Sequence, residues 1–165
     1  MRNSEAVIIG MGNEFRTDDA AGLIVARTIQ ERLEPGIRIV EGVSEGSALM
    51  DAWKDARVAI IIDSVTSGAE PGYIYKFDAL KDILPEEYFR GYSTHAFSVA
   101  QTVQLARTLK VLPGKLVVYG IEGANFTTGT KITPEVLRAV ERLTEIILND
   151  IKSEILAEEK QNRYR

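Results

Sequence analysis

Residues 57–63 read Arg-Val-Ala-Ile-Ile-Ile-Asp, with the wholly apolar stretch Val58–Ile62 closed by an acid. A continuous apolar run of this kind belongs to a strand covered on both faces, at the centre of a sheet. Upstream, the run Ala6–Ile9 ends in Gly10 and reads as a second buried strand. Three Pro-Gly pairs, Pro35-Gly36, Pro71-Gly72 and Pro113-Gly114, each directly precede a β-like run: Ile37–Val40, Tyr73–Phe77 and Lys115–Tyr119. Proline presets φ and glycine accepts positive φ, so each pair predicts a turn into a strand.

Helical patterns fill the gaps. The stretch Ala20–Leu33 carries Leu23, Val25, Ala26 and Ile29, Gly46–Trp53 is a shorter helix, and Phe97–Leu109 carries Val99, Val103, Ala106 and Leu109. The last helix opens with Thr133-Pro134-Glu135, a capping hydroxyl followed by proline at the first helical position. Its stripe is Val136, Val140, Leu143, Ile147, Ile151 and Ile155, at steps of three and four. Strands alternating with helices predict an α/β fold with a largely parallel sheet and helices on both faces. Tyr73–Phe77 follows Asp63 too closely for a helical crossover, so it is expected to pair antiparallel at or near an edge. A single domain is expected over residues 1–157, with residues 158–165 a charged, frayed tail.

At 165 residues, 45% hydrophobic and 27% charged, the chain has the composition of an ordinary globular domain. Twenty Lys+Arg against 24 Asp+Glu leave a net charge of −4, with no basic stripe, so no nucleic-acid partner is expected. The apolar runs are too short to span a bilayer, and the N-terminus lacks a secretory pattern. No membrane association and a cytoplasmic location are expected. There is no cysteine, which excludes disulfides, thiol nucleophiles and Cys-ligated metals, and His95 is the single histidine. Chemistry here must rest on carboxylates, hydroxyls, backbone groups and at most one imidazole.

Four places could carry it. After the first strand comes Gly10-Met11-Gly12-Asn13-Glu14-Phe15-Arg16-Thr17-Asp18-Asp19. The third glycine of a dinucleotide fingerprint would fall at Phe15, and no GK[ST] follows, so neither nucleotide motif applies. Asp18 and Asp19 read either as functional acids or as first-turn carboxylates behind a Thr17 cap, each worth about 0.3–1 kcal/mol. Asp63 reads either as a ligand-binding acid at the carboxyl edge of a central strand, or as a turn residue for the loop that follows. His95, in Tyr92-Ser93-Thr94-His95, is structural or catalytic, and Glu122 ends another strand and reads mainly as a turn former. Two carboxylates and one imidazole suit a divalent ion such as Ni²⁺, Zn²⁺ or Mn²⁺ with positions left open. The same three could form a metal-free acid–base site. A triad through Ser64 or Ser93 lacks a GxSxG elbow.

Gly10-x-Gly12-Asn13-x4-Asp18-Asp19-x2-Gly22, then Asp63, Ser93-x-His95, Gly120-Ile121-Glu122 and Pro134-Glu135-Val136, follow one another along the chain. In order and approximate spacing this series resembles the nickel–iron hydrogenase maturation endopeptidases, over about residues 5 to 150. The resemblance implies a three-layer α/β/α domain with a twisted, mostly parallel five-stranded sheet. It implies a hydrolase, an aspartyl-type or metal-dependent endopeptidase that clips a C-terminal extension from the hydrogenase large-subunit precursor once nickel is inserted. The family's metal-associated and catalytic residues map onto Asp19, Asp63 and His95. Nickel is expected to be carried by the substrate, other divalent ions can occupy the site, and no organic cofactor is implied.

Family members often carry Asp-Gly-Gly-Thr-x-Gly after the second strand; here the stretch is Glu41-Gly42-Val43-Ser44-Glu45-Gly46. By resemblance Gly42, Val43, Ser44 and Gly46 contact the substrate peptide, with Val43 and Ser44 as departures. Gly123 stands where a proline is common. Two rival functions use the same residues: a metal-dependent peptide chaperone that does not cut, and a small-molecule hydrolase with Asp63 and His95 as its acid–base pair.

Overall fold

The computed structural model describes residues 6–32, 37–43, 46–89 and 97–163. Leu33, the Pro35-Gly36 turn, Ser44, Ser93, Thr94 and His95 lie outside the described residues, as does the side chain of Ile155. Five strands form one sheet: β1 (Ala6–Gly10), β2 (Ile37–Glu41), β3 (Val58–Val65), β4 (Ile74–Asp78) and β5 (Lys115–Glu122). Four α-helices join them: α1 (Ala21–Arg32), α2 (Gly46–Trp53), α3 (Val99–Leu109) and α4 (Pro134–Arg163). Short 3₁₀ turns at Thr17–Ala20 and Glu86–Phe89 complete the described elements.

The strand order is β2-β1-β3-β5-β4. All neighbours are parallel except β4, which pairs antiparallel with β5 at one edge, as the short connection from Asp63 requires. The apolar run Val58–Ile62 is the middle strand, and its alternate residues serve opposite layers. Ala59 and Ile61 join Val7, Ile9, Leu116 and Val118 under α2 and α3. Ile60 and Ile62 join Ile8, Val117, Tyr119 and Ile121 under α1 and α4. Each large aliphatic side chain so buried contributes about 1.5–3 kcal/mol. Among the described residues no helix is long and apolar enough to cross a membrane.

Two boundaries differ from expectation. Strand β3 continues to Val65, so Asp63 sits within the strand and not at its end. Its ladder with β5 persists through Val65–Glu122 although β1 has already ended opposite Ile62. Helix α4 runs on to Arg163.

The early end of β1 places the site. The direction in which strands are added reverses between β1 and β3: β1 leads through α1 to β2 on one side, while β3 lies on the other. In open α/β sheets ligands bind at the carboxyl ends of strands flanking such a switch point. Two glycines let α1 come close enough to line it. A Cβ on Gly22 would fall 2.2 Å from the Ile62 carbonyl oxygen. Gly12 has φ 117°, and a Cβ there would fall 1.9 Å from the Asp19 carbonyl oxygen.

Candidate active site

Adjacent residues Asp18 and Asp19 point to different tasks. Asp18 is fully buried. Its Oδ2 accepts from the Ala124 and Asn125 amides at 2.9 Å each and from the Thr133 hydroxyl at 2.7 Å, and its Oδ1 accepts from the Thr133 amide at 2.8 Å. Four donors satisfy a buried carboxylate almost completely. Asp18 thus ties the β5–α4 loop and the start of α4 to the loop after β1. It does not cap its own helix, and the Thr133 hydroxyl donates across the fold to it. Thr17 is not an N-cap either. It lies inside the 3₁₀ turn at φ 48°, and its hydroxyl donates to the Asn125 and Thr127 carbonyls.

Asp19 turns instead to β3. Its Oδ1 accepts from the Ser64 hydroxyl at 2.7 Å, and its Oδ2 accepts from the Asn13 amide at 2.9 Å. Asp63, partly buried on β3, accepts at Oδ1 from the Ser64 amide at 2.8 Å. Among the described residues no donor reaches Asp63 Oδ2. Burial pushes the Asp63 carboxyl up to about 7, and the negative charge of Asp19 adds to the effect. The backbone donor from Ser64 opposes it only in part. Two acids from separate elements therefore meet at the switch point and repel each other there.

Asp63 and its strand neighbours Ile61 and Val65 alternate onto the face covered by α2 and α3. His95 precedes α3 in the sequence but lies outside the described residues, so the structure brings together two of the three expected residues. Among the described residues no cluster of three metal-ligating side chains forms.

Of the expected substrate loop, Gly42 has φ 74° and open space where a Cβ would project. Val43 packs against the α2–α3 layer. Gly46 is buried at the start of α2, where a Cβ would fall 2.9 Å from the Thr102 hydroxyl oxygen. Ser44 lies outside the described residues. Arg27 on α1 ties this loop to the one after β1. It donates to both Glu41 oxygens, at 2.9 and 3.0 Å, and to Glu14 at 3.1 Å. The guanidinium holds the Glu41 carboxyl below the usual range.

Glu122 is also buried, at 2% exposure. It accepts from the Ser67 amide and hydroxyl and from the Gly68 amide, anchoring the loop after β3. This is the turn-forming role its position suggested. Ser64 is the residue that reading by motif undervalued. Its hydroxyl is committed to Asp19, and only its place one residue after Asp63 hinted at that.

Comparison with known proteins identifies the family and the fold. The family model described as "HycI: Hydrogenase maturation protease" matches residues 23–150. A relative from Methanocaldococcus jannaschii, named "Putative hydrogenase maturation protease", is 31% identical over 163 residues, 92% of this chain and 99% of its own. The hydrogenase 2 maturation protease of Escherichia coli is 25% identical over 146 residues, covering 86% of this chain and 87% of its own. The fold is that of the hydrogenase maturating endopeptidase HybD from E. coli, with a TM-score of 0.76 over 91% of this chain and 93% of that one at 21% identity. With its family model matching residues 23–150, well over half of its length, the chain belongs to the hydrogenase maturation protease family and is a peptidase.

Proposed function

We propose that this enzyme removes a C-terminal extension from a nickel–iron hydrogenase large-subunit precursor, and that it recognises nickel already held by that precursor. The observation that carries this reading is the pairing of Asp19 with Asp63 at the switch point, with the Asp63 carboxyl pushed up to about 7. Two carboxylates that repel each other both gain from a cation placed between them. Asp63 Oδ2, which meets no donor among the described residues, is the oxygen offered to the metal. His95 supplies the third donor. Carboxylate and imidazole donors suit nickel, and the substrate fills the remaining positions.

In this account the nickel is part of the substrate. Asp19, Asp63 and His95 grip it, so binding energy is gained with a loaded precursor and forgone with an empty one. The clip is then a checkpoint. The grip holds the scissile amide beside the metal, where its carbonyl can be polarised or a water activated. Asp18 stays out of the reaction, because its four hydrogen bonds commit it to the β5–α4 loop. Gly42, Val43, Ser44 and Gly46 line the path of the peptide. No organic cofactor takes part, and the reaction belongs in the cytoplasm.

The test is the intact mass of the precursor after incubation, with nickel-loaded and nickel-free forms side by side and His95→Ala as control. Loss of a C-terminal peptide only from the loaded form, and only with the unaltered enzyme, is the expected result. Equal cleavage of both forms would remove nickel from the account. Nickel-dependent binding without a mass change would make the protein a chaperone of the precursor.

A further inference from the structure

Ser64 is placed to hold both acids at once. The Ile62 carbonyl accepts from the Met11 amide at 2.9 Å, the last link between β1 and β3. Backbone alternation turns the Ser64 amide to that same side, two residues on, where β1 has run out. The amide has lost its ladder partner, and it donates to Asp63 Oδ1 at 2.8 Å. The side chain projects to the face carrying α1, and its hydroxyl donates to Asp19 Oδ1 at 2.7 Å. One residue thus gives a main-chain donor to one carboxylate and a side-chain donor to the other. Ser64 is only 7% exposed, so the hydroxyl has little water to turn to.

We infer that Ser64 is the positioning residue of the acid pair, setting the orientation of Asp19 relative to Asp63 for a divalent metal. The inference rests on the proposed function for the identity of the metal and deepens it. Each hydrogen bond occupies one lone pair of an oxygen; the Asn13 amide takes another on Asp19 Oδ2, and the lone pairs that remain on both carboxylates can face a metal. Partners of this type fix ligand orientation, and their loss typically costs about 10–100-fold in metal affinity or activity. At 7% exposure Ser64 lies beneath the acids, so its part is to act through Asp19 and not on the peptide itself.

The test titrates the unaltered protein, Ser64→Ala, Ser64→Thr and Asp19→Asn with nickel alone by calorimetry. It also measures kcat and KM for nickel-loaded precursor, and the thermal midpoint of each metal-free protein. Ser64→Ala should weaken nickel binding and raise KM by about 10–100-fold. Ser64→Thr, which keeps the hydroxyl, should recover most of the loss, and the metal-free midpoints should not track the affinities. Wild-type affinity and KM in Ser64→Ala, with the unaltered enzyme cleaving normally, would overturn the inference and leave the function standing. Equal loss in the Ala and Thr variants would also overturn it. If the unaltered protein binds nickel but leaves loaded precursor intact, the function fails while the titration still decides the role of Ser64. Neither binding nor cleavage by the unaltered protein would overturn both.

Discussion

Asp18 and Asp63 stand at the same end of the same sheet and are treated in opposite ways. Asp18 is sealed from water and accepts four hydrogen bonds. Asp63 accepts one, has an oxygen with no donor among the described residues, and lies within the field of Asp19. The first arrangement turns a buried charge into a clasp between loops. The second leaves a partly buried carboxylate with a single donor among the described residues, an arrangement that is costly for the charged form and that a cation would relieve. Glu41 shows a third treatment, an exposed carboxylate held by both arms of Arg27.

If that contrast is right, removing the two acids should move stability in opposite directions. Asp18→Ala strands the Ala124, Asn125 and Thr133 amides and the Thr133 hydroxyl, each unsatisfied group costing about 1–3 kcal/mol. A loss of at least about 3 kcal/mol is expected from urea unfolding. A loss below about 1 kcal/mol would mean that the clasp is not structural.

Asp63→Asn should abolish cleavage and stabilise the metal-free protein above neutral pH. The folded carboxyl titrates near 7 against a normal 3.8. The folded state therefore binds the proton more tightly, and the Asp63 contribution is fully present below pH 3.8 and lost as pH rises through 7. At pH 8 the variant should exceed the unaltered protein by about 1–4 kcal/mol, and the gap should shrink towards pH 4. Unfolding curves at several pH values check this. A variant less stable at pH 8 would show that the charge is well accommodated.

Smaller changes sharpen the comparison. Thr133→Val removes one of four donors from Asp18 and should cost about 1 kcal/mol while cleavage persists, as read by denaturation and precursor mass. Arg27→Gln breaks exposed ion pairs with Glu41 and Glu14 and should cost no more than about 1 kcal/mol, less as salt is raised. A larger, salt-independent loss would mean that the Arg27 link carries packing as well as charge.

Much of this was legible in the sequence, because the fold is carried by local pattern. The apolar run at Val58–Ile62 is central, each Pro-Gly pair within the described residues precedes a strand, and the short path from Asp63 to Tyr73 makes β4 an antiparallel edge. Asp19 and Asp63 were legible as site candidates because each is an acid that follows an apolar run in the sequence, Ala6–Ile9 for one and Val58–Ile62 for the other. Asp18 was not legible as a clasp. Its partners lie 106, 107 and 115 residues away, and a window of helix propensity sees only the first turn of its own helix. The strand ends were misjudged for a related reason: a polar side chain at Asp63 reads as a boundary, yet pairing with β5 carries the backbone on to Val65. Ser64 was hidden because its function depends on β1 stopping one strand away.

The most direct measurement is the titration of the Asp63 carboxyl itself, by carbon-detected NMR of aspartate-labelled protein, without metal and with excess zinc as a diamagnetic probe. A midpoint near 7 without metal, driven far down by zinc, is the predicted result. An ordinary carboxylate midpoint unchanged by zinc would contradict the claim that Asp63 is held in wait for a metal.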